Sequence, residues 1–366
     1  MKLLNNWLYD KKFELVTIIS PPFLSVFFVF LFQGKILEIN ELPIASWIFF
    51  ILFIDVSHVY STLFRTYFHK IEFQENKTLL IITPFVVWIL GILLYSIHSM
   101  LFWSILAYVA VFHFVRQQYG FIRLYSAKEV HSKYSQIIDS LILYISVLYP
   151  IIFWHTHIPR KFNWFINGDF ILGLPWFYEE IFLYLYILFG ILYCTKEIYH
   201  IQKYGYWNLP KNLLLSGTAL SWYIGIVHFN NDFIFTITNV VTHGIPYMAL
   251  IWIFGKKEVK KNTELKIIGQ LDYKIFFKKY SIIIFLAILI LFSYCEEGLW
   301  DAFVWREHLE IFPLFQNFEK ISSNSILSVL VPFLTIPQAT HYVLDGFIWK
   351  LRNDNSYWKT TIFGLK

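Results

Sequence analysis

Long hydrophobic runs alternate with short polar connections along the whole chain. Ten of them reach or approach the roughly 17–25 residues that a helix needs to cross a bilayer, with 280–294 the shortest. Their approximate bounds are 16–32, 43–64, 79–97, 99–115, 137–154, 179–195, 212–229, 233–254, 280–294 and 325–349. The pattern predicts an all-α, polytopic transmembrane helical bundle of about ten spans. Because no repeat or low-complexity segment interrupts it, we expect residues 1–366 to form a single integral membrane domain.

Composition excludes the soluble globular class. Hydrophobic residues make up 57% of the chain and charged residues 15%, against about 45–50% and about 25% in soluble domains. Cys194 and Cys295 are the only cysteines, and each lies in an apolar run. A disulfide framework or a cysteine-rich metal site is therefore not expected. The net charge of +5 does not point to nucleic acid, and we expect no nucleic-acid partner.

The positions of the basic residues predict an orientation. If the amino terminus is cytoplasmic and the ten spans alternate, 25 of the 30 Lys and Arg residues fall on the cytoplasmic side. Cytoplasmic connections of membrane proteins carry such an excess of Lys and Arg. The sequence therefore predicts that both termini are cytoplasmic.

Four histidines lie inside predicted spans that all run from the outside to the cytoplasm. Ionisable residues within spans are rare and usually mark functional sites. At about 1.5 Å per residue, most of these side chains should lie in the cytoplasmic half of the bilayer. The group consists of His58, His113, His243 and His341, with Asp55 and Asp345 nearby in sequence.

Two of these histidines are spaced to meet a carboxylate on the same helical face. Asp55 precedes His58 by three residues, and Asp345 follows His341 by four. A carboxylate so placed binds a metal ion or orients a ligating imidazole. Several imidazoles with one or two carboxylates suit iron or zinc. The alternative is that each histidine joins helices by hydrogen bonds worth about 0.6 kcal/mol apiece.

Polar residues near the cytoplasmic side are candidates for substrate binding. Arg65 and Arg116 suit a phosphate or carboxylate head group, and Gln117 and Tyr342 can supply hydrogen bonds. The competing interpretation is that the arginines serve only the membrane topology.

Four segments carry a resemblance to known proteins. They are DVSHVYSTLFRTY, HFVRQQYGFIRLY, HGIPYMALIW and HYVLDGFIWK. They resemble an uncharacterised group of bacterial polytopic membrane proteins, which implies a multi-pass protein of the bacterial inner (cytoplasmic) membrane and brings no activity with it. More loosely, the chain is similar to histidine-rich membrane iron enzymes, namely the desaturases and hydroxylases and the carotene-cleaving oxygenases of the Brp/Blh type. The HxxxH and HxxHH boxes of the desaturases and hydroxylases are missing from the sequence, so no residue assignment is carried over.

The leading hypothesis is an integral membrane metalloenzyme of the iron oxygenase, desaturase or hydroxylase type. It would act on a lipid or isoprenoid near the cytoplasmic leaflet, use one or two iron ions or alternatively zinc, and receive electrons from a donor protein. The four histidines would bind metal, and Asp55 and Asp345 would be catalytic residues that complete or orient the site. Two alternatives remain: a lipid acyl- or glycosyl-type transferase with a histidine base, and a proton-coupled transporter.

Overall fold

The computed structural model describes residues 2–3, 6–39, 42–129, 133–170, 173–261, 272–278 and 280–349. Helices dominate these residues, as the sequence predicts. The strands found among them are the two-residue β1 (Lys2–Leu3) and β2 (Tyr206–Trp207), which pair in parallel. Part of the basic connection between Lys256 and Lys279, and all residues after Trp349, lie outside the described residues.

Twelve helices organise the described chain. Their bounds are α1 Lys11–Ile36, α2 Ile44–Arg65, α3 Lys70–Glu75, α4 Lys77–Ile97, α5 Ser99–Ser126, α6 Lys133–Thr156, α7 Phe177–Tyr204, α8 Leu209–Trp222, α9 Asp232–Lys261, α10 Ile282–Trp305, α11 Asn324–Leu334 and α12 Ile336–Ile348. A π-helical turn, Tyr223–His228, continues α8. Short 3₁₀ helices occupy Tyr273–Phe276 and Pro313–Phe315.

Eight of these helices are long and apolar enough to cross a membrane, namely α1, α2, α4, α5, α6, α7, α9 and α10. The pair α11 and α12 adds a ninth span if it is counted as one helix bent by 42°. The chain thus has multi-pass helical character, but ten spans are not confirmed. Predicted span 212–229 coincides with α8 and its π-turn. Lys211 and Asn212 at its start, and the hydroxyls that follow, make it more polar than the other spans.

The chain divides into two compact units. Unit 1 comprises Met1–Pro43 and Ala110–Pro246. Within it α6 packs along α7, and α8 packs on α1. The second contact depends on Gly217, because a Cβ there would lie 2.6 Å from Cγ of Pro22.

Unit 2 comprises Ile44–Val109 and Tyr247–Lys366. Its helix α4 packs against α11 and α12, and α10 packs against α2. The hydroxyls of Ser57 and Ser293 are 2.9 Å apart at the second contact. The single membrane domain stays a prediction.

Candidate metal centre

Unit 2 contains a pair of buried histidines. His58 lies on α2 and His341 on α12, with ring centroids 5.1 Å apart and planes at 75°. The residues just before His58, Ile48–Val56, are π-helical, and π-helical insertions are frequent at functional sites. Asp55 belongs to this stretch, and its Oδ1 is 3.7 Å from Nδ1 of His58.

Hydroxyl groups connect His341 to a carboxylate in the same unit. Oγ1 of Thr62 lies 2.7 Å from Nδ1 of His341 and 3.0 Å from the hydroxyl of Tyr247. That hydroxyl donates to Oδ1 of Asp345 over 2.5 Å. Oδ1 of Asp345 is itself 3.9 Å from Nδ1 of His341, which is too far for a direct hydrogen bond.

Unit 1 contains the second pair of buried histidines. His113 on α5 and His243 on α9 have ring centroids 4.9 Å apart and planes at 82°. The ring of Phe114 stacks on that of His243 at 3.6 Å. Nε2 of Gln117 donates to the backbone carbonyl of His243 over 2.9 Å. Aromatic stacking and a backbone contact therefore hold this pair.

The four histidines form one group compatible with a metal site. Their exposed fractions are 2% for His58, 3% for His113, 1% for His243 and 1% for His341. Each offers a ring nitrogen, and these atoms all lie within 4.8 Å of one another. Imidazole nitrogens bind zinc at about 2.0–2.1 Å in a tetrahedron, so two ligands of one ion lie about 3.4 Å apart. The histidine side chains would have to move closer together to bind one ion in that geometry.

The predicted histidine cluster is thus confirmed, whereas the roles of its members stay predictions. Asp55 lies beside His58, and the structure connects Asp345 to His341 through Tyr247 and Thr62. Buried imidazoles suit transition metals such as iron, zinc and copper. The identity of the ion is not determined by this geometry.

The predicted substrate-binding arginines make contacts within the protein. Arg65 is buried, with Nη1 2.5 Å from Oε1 of Glu72 and its guanidinium 4.3 Å from the ring centre of Phe254. Arg116 is exposed, and its Nη1 donates to the hydroxyl of Tyr144 over 3.0 Å. Head-group binding by either side chain stays a prediction.

The other two predicted substrate-binding residues are both buried. Gln117 contacts the backbone of His243, as described above. Tyr342 directly follows His341 on α12, and their ring centroids are 5.8 Å apart. A role in substrate binding stays a prediction for both.

A regular spacing in the sequence could have identified the hydrogen-bonding neighbours. Every histidine of the group is followed four residues later by a residue that forms hydrogen bonds. These residues are Thr62, Gln117, Tyr247 and Asp345. Side chains four apart lie on one helical face, so the repetition places a polar neighbour below each imidazole. Sequence reasoning used this spacing only for His341.

A cavity of about 260 Å³ in unit 2 lies against His341. Its wall is mainly apolar and is formed by Val59, Tyr60, Thr62, Leu63, Tyr67, Pro84, Ile336, Pro337, Thr340, His341 and Leu344. Tyr67, which lies after the end of α2, donates its hydroxyl to the carbonyl of Leu80 over 2.7 Å. Burial raises the pKa of Tyr67 to about 12, which keeps this phenol protonated.

Unit 1 also holds a buried cluster of unlike charges, which sequence reasoning missed. We call it the charge cluster, and its members are Glu129, Asp139, Lys196, Glu197 and Lys211. Nζ of Lys211 lies 2.8 Å from Glu197, 3.1 Å from Glu129 and 3.7 Å from Asp139. Lys196 pairs with Asp139 and Glu197. The two ammonium groups and three carboxylates therefore neutralise most of one another's charge.

Comparison of the chain with protein-family models, curated proteins and solved structures finds no match to any of them.

Proposed function

We propose that the protein is an integral membrane metalloenzyme in which His58, His113, His243 and His341 bind a metal ion. The observation that carries the proposal is the convergence of four buried ring nitrogens within 4.8 Å. Four imidazole nitrogens this close together form a set of ligands that suits one transition-metal ion. Four histidines that only joined helices would have no reason to converge.

We favour iron, with zinc as the alternative, and an oxidoreductase of the oxygenase, desaturase or hydroxylase type. Imidazole suits both metals, and bound iron supplies the capacity to activate dioxygen toward an unreactive carbon chain. The residues of the protein orient the chain and limit the access of water. Oδ1 of Asp55 lies 3.7 Å from Nδ1 of His58, and a small movement would bring it close enough to orient that imidazole. A protein that delivers electrons is the partner that this chemistry requires.

The substrate class follows from the cavity beside His341. Its volume of about 260 Å³ and its mainly apolar wall suit a segment of an acyl or isoprenoid chain. Eight helices of the protein are long and apolar enough to cross a membrane, and we propose that a lipid substrate enters the cavity from the bilayer. The wall would add little binding free energy for a water-soluble substrate, because burial against apolar side chains stabilises apolar groups.

A proton-coupled transporter is the second candidate. The observation that favours it is the buried carboxylate of Glu296 in the apolar helix α10. Carboxylates at such positions commonly carry protons in transporters. The transporter reading makes no use of four converging imidazoles, and we therefore rank it below the metalloenzyme.

We also propose ten spans with both termini cytoplasmic, in the inner membrane of a bacterium. In this arrangement α11 and α12 form one bent span and α8 with its π-turn forms another. The distribution of Lys and Arg supports the orientation. A topology reporter placed after Gly168 should then report the outside and one after Lys261 the cytoplasm. Two reporters on the same side would contradict the arrangement.

Elemental analysis tests the metalloenzyme directly. The protein is expressed with ample iron and zinc and purified in detergent without chelators. We expect about one transition-metal ion, or two, per chain, with iron in excess of zinc. A folded protein that contains no transition metal contradicts the proposal, and lipid-turnover and ion-flux assays would then separate the transferase from the transporter.

A further inference from the structure

We infer that Thr62, Tyr247 and Asp345 form a hydrogen-bond relay that holds His341 in the tautomer with hydrogen on Nδ1, so that Nε2 faces the metal. The function that we assign to this relay, which is to orient a metal ligand, rests on the proposed metal site. Its geometry lies entirely within unit 2 and stands without the metal. Thr62, Tyr247 and Asp345 are therefore positioning residues.

The relay follows from counting hydrogens along three contacts. The hydroxyl of Tyr247 has one hydrogen and donates it to Oδ1 of Asp345. The contact between Tyr247 and Thr62, 3.0 Å long, must then use the hydrogen of Thr62. With its hydrogen committed, Oγ1 of Thr62 can only accept in the 2.7 Å contact with His341. The hydrogen of that contact must come from Nδ1 of His341.

The tautomer determines which atom of His341 binds the metal. A neutral imidazole with hydrogen on Nδ1 has its electron pair on Nε2. A histidine ligand usually donates its other nitrogen to a carboxylate or carbonyl, which fixes the ring and raises its basicity. Here the hydroxyls of Thr62 and Tyr247 connect His341 to Asp345, whose Oδ1 is 3.9 Å from Nδ1 of His341. Hydrogen bonds arranged in one direction polarise each other, so the carboxylate acts on the imidazole at a distance.

Each member of the relay is held by the fold. Thr62 and His341 are buried, and the ring of Tyr247 lies edge-on to that of His341 at a centroid distance of 4.9 Å. Tyr247 is 1% exposed, which shields its hydroxyl from competing water. The three positioning residues come from α2, α9 and α12, so their alignment is a property of the folded unit.

The first experiment reads the tautomer without metal. Protein labelled with ¹⁵N-histidine is stripped of metal, placed in lipid vesicles and studied by solid-state NMR, with the His341 signals assigned by their loss in His341→Ala. We expect Nδ1 of wild-type His341 to carry the hydrogen. Tyr247→Phe frees the hydroxyl of Thr62 to point either way, so this variant should show a mixture of tautomers.

Matched controls separate the relay from a general loss of packing. Thr66→Val removes a buried hydroxyl directly after the end of α2 that donates to the carbonyl of Thr62. Tyr273→Phe removes a buried phenol that donates to the carbonyl of Phe64. Both variants should leave the His341 tautomer as it is in the wild type.

The second experiment measures binding of Co²⁺ by visible absorption, with Co²⁺ as the probe for an imidazole site. Thr62→Val, Tyr247→Phe and Asp345→Asn should each weaken binding about 10–100-fold, as loss of an orienting partner does elsewhere. Because one break interrupts the relay, Thr62→Val combined with Asp345→Asn should bind within about twofold of Thr62→Val alone.

Three results would decide against these claims separately. Hydrogen on Nε2 of wild-type His341 overturns the relay, whatever the protein binds. Multiplying losses in the double variant also overturn it, since they show independent effects. A wild-type protein that binds no Co²⁺ contradicts the proposed metal site, and the NMR result then decides the relay by itself.

Discussion

Two buried polar clusters of this protein differ in how their groups satisfy one another. The charge cluster of unit 1 joins two lysines to three carboxylates at salt-bridge distances. The histidine group gathers four side chains of one kind. Unlike charges stabilise each other directly, whereas four imidazoles repel when protonated and offer four electron pairs when neutral. The charge cluster neutralises most of its own charge, and we propose that the histidine group binds a cation.

Burial of polar groups alone does not mark a functional site. Both clusters are buried, and both contain groups that are costly to place in an apolar interior. What separates them is complementarity. Side chains of opposite charge stabilise each other within the fold. Side chains that could all bind the same cation instead point to a ligand-binding site. The predictions below test whether the two clusters respond differently to the loss of one member.

The largest effect is expected in the charge cluster. Lys211→Met leaves Glu129 and Glu197 without the ammonium that lies 3.1 and 2.8 Å away. Breaking a buried ion pair by removing one partner costs about 3–5 kcal/mol. We expect the unfolding free energy in detergent to fall by about that amount, while the metal content of the folded protein stays unchanged.

Lys203→Met is the matched control, because Lys203 is exposed on α7. Its removal should change stability by no more than about 0.5 kcal/mol. If Lys211→Met instead removed the metal from a protein of normal stability, the distinction between the two clusters would be wrong.

The next effect concerns the histidine group. His58→Ala and His341→Ala each remove a proposed ligand, and we expect metal affinity to fall by more than about 100-fold, beyond the loss caused by an orienting partner. The metal-free variants should remain folded, because a hydrogen bond between membrane helices contributes only about 0.6 kcal/mol. Metal titration and thermal unfolding of the same samples measure the two quantities.

His155→Ala is the control for these variants. His155 is buried on α6, and its Nδ1 contacts the carbonyl of Ile151 at 2.7 Å. It is a buried histidine outside the group, so its removal should leave the metal in place. Equal loss of metal from all three variants would mean that the fold, and not the ligand set, governs binding.

A smaller effect is expected at the cavity. Leu63→Trp places a large ring in a space of about 260 Å³. We expect the affinity for cis-parinaric acid, a fluorescent acyl chain, to fall about tenfold, which is 1.4 kcal/mol. Leu192→Trp on α7, where Leu192 is 40% exposed, is the control and should bind the probe normally. Unchanged binding by Leu63→Trp would remove the cavity as the chain site.

The histidine group could be predicted from sequence because its members are rare residues inside apolar runs. The cost of such residues in a membrane singled out His58, His113, His243 and His341, and the structure brings the same four together. The all-helical, multi-pass class followed from the hydrophobic pattern. These features depend on composition and periodicity, which can be read from short stretches of the sequence.

Other features depend on contacts that no local pattern contains. The first turn of α8 contains Lys211 and Asn212, and hydropathy does not reveal that the lysine meets carboxylates from α6 and α7. The number of spans therefore depends on contacts that hydropathy does not contain. The path from Asp345 to His341 was also missed, because Thr62 and Tyr247 reach it from two other helices. The spacing of four residues predicted a direct contact between His341 and Asp345. In the structure the hydroxyls of Thr62 and Tyr247 connect the two side chains instead.

X-ray absorption spectroscopy of the metal-loaded protein tests the central claim most directly. A metal ion bound by the histidine group should show nitrogen scatterers at about 2.0–2.1 Å, with the outer-shell scattering of about four imidazole rings. In His341→Ala one imidazole should be missing or the metal should be lost. A spectrum with sulfur ligands, or with oxygen ligands and no imidazole scattering, would contradict a four-histidine metal site.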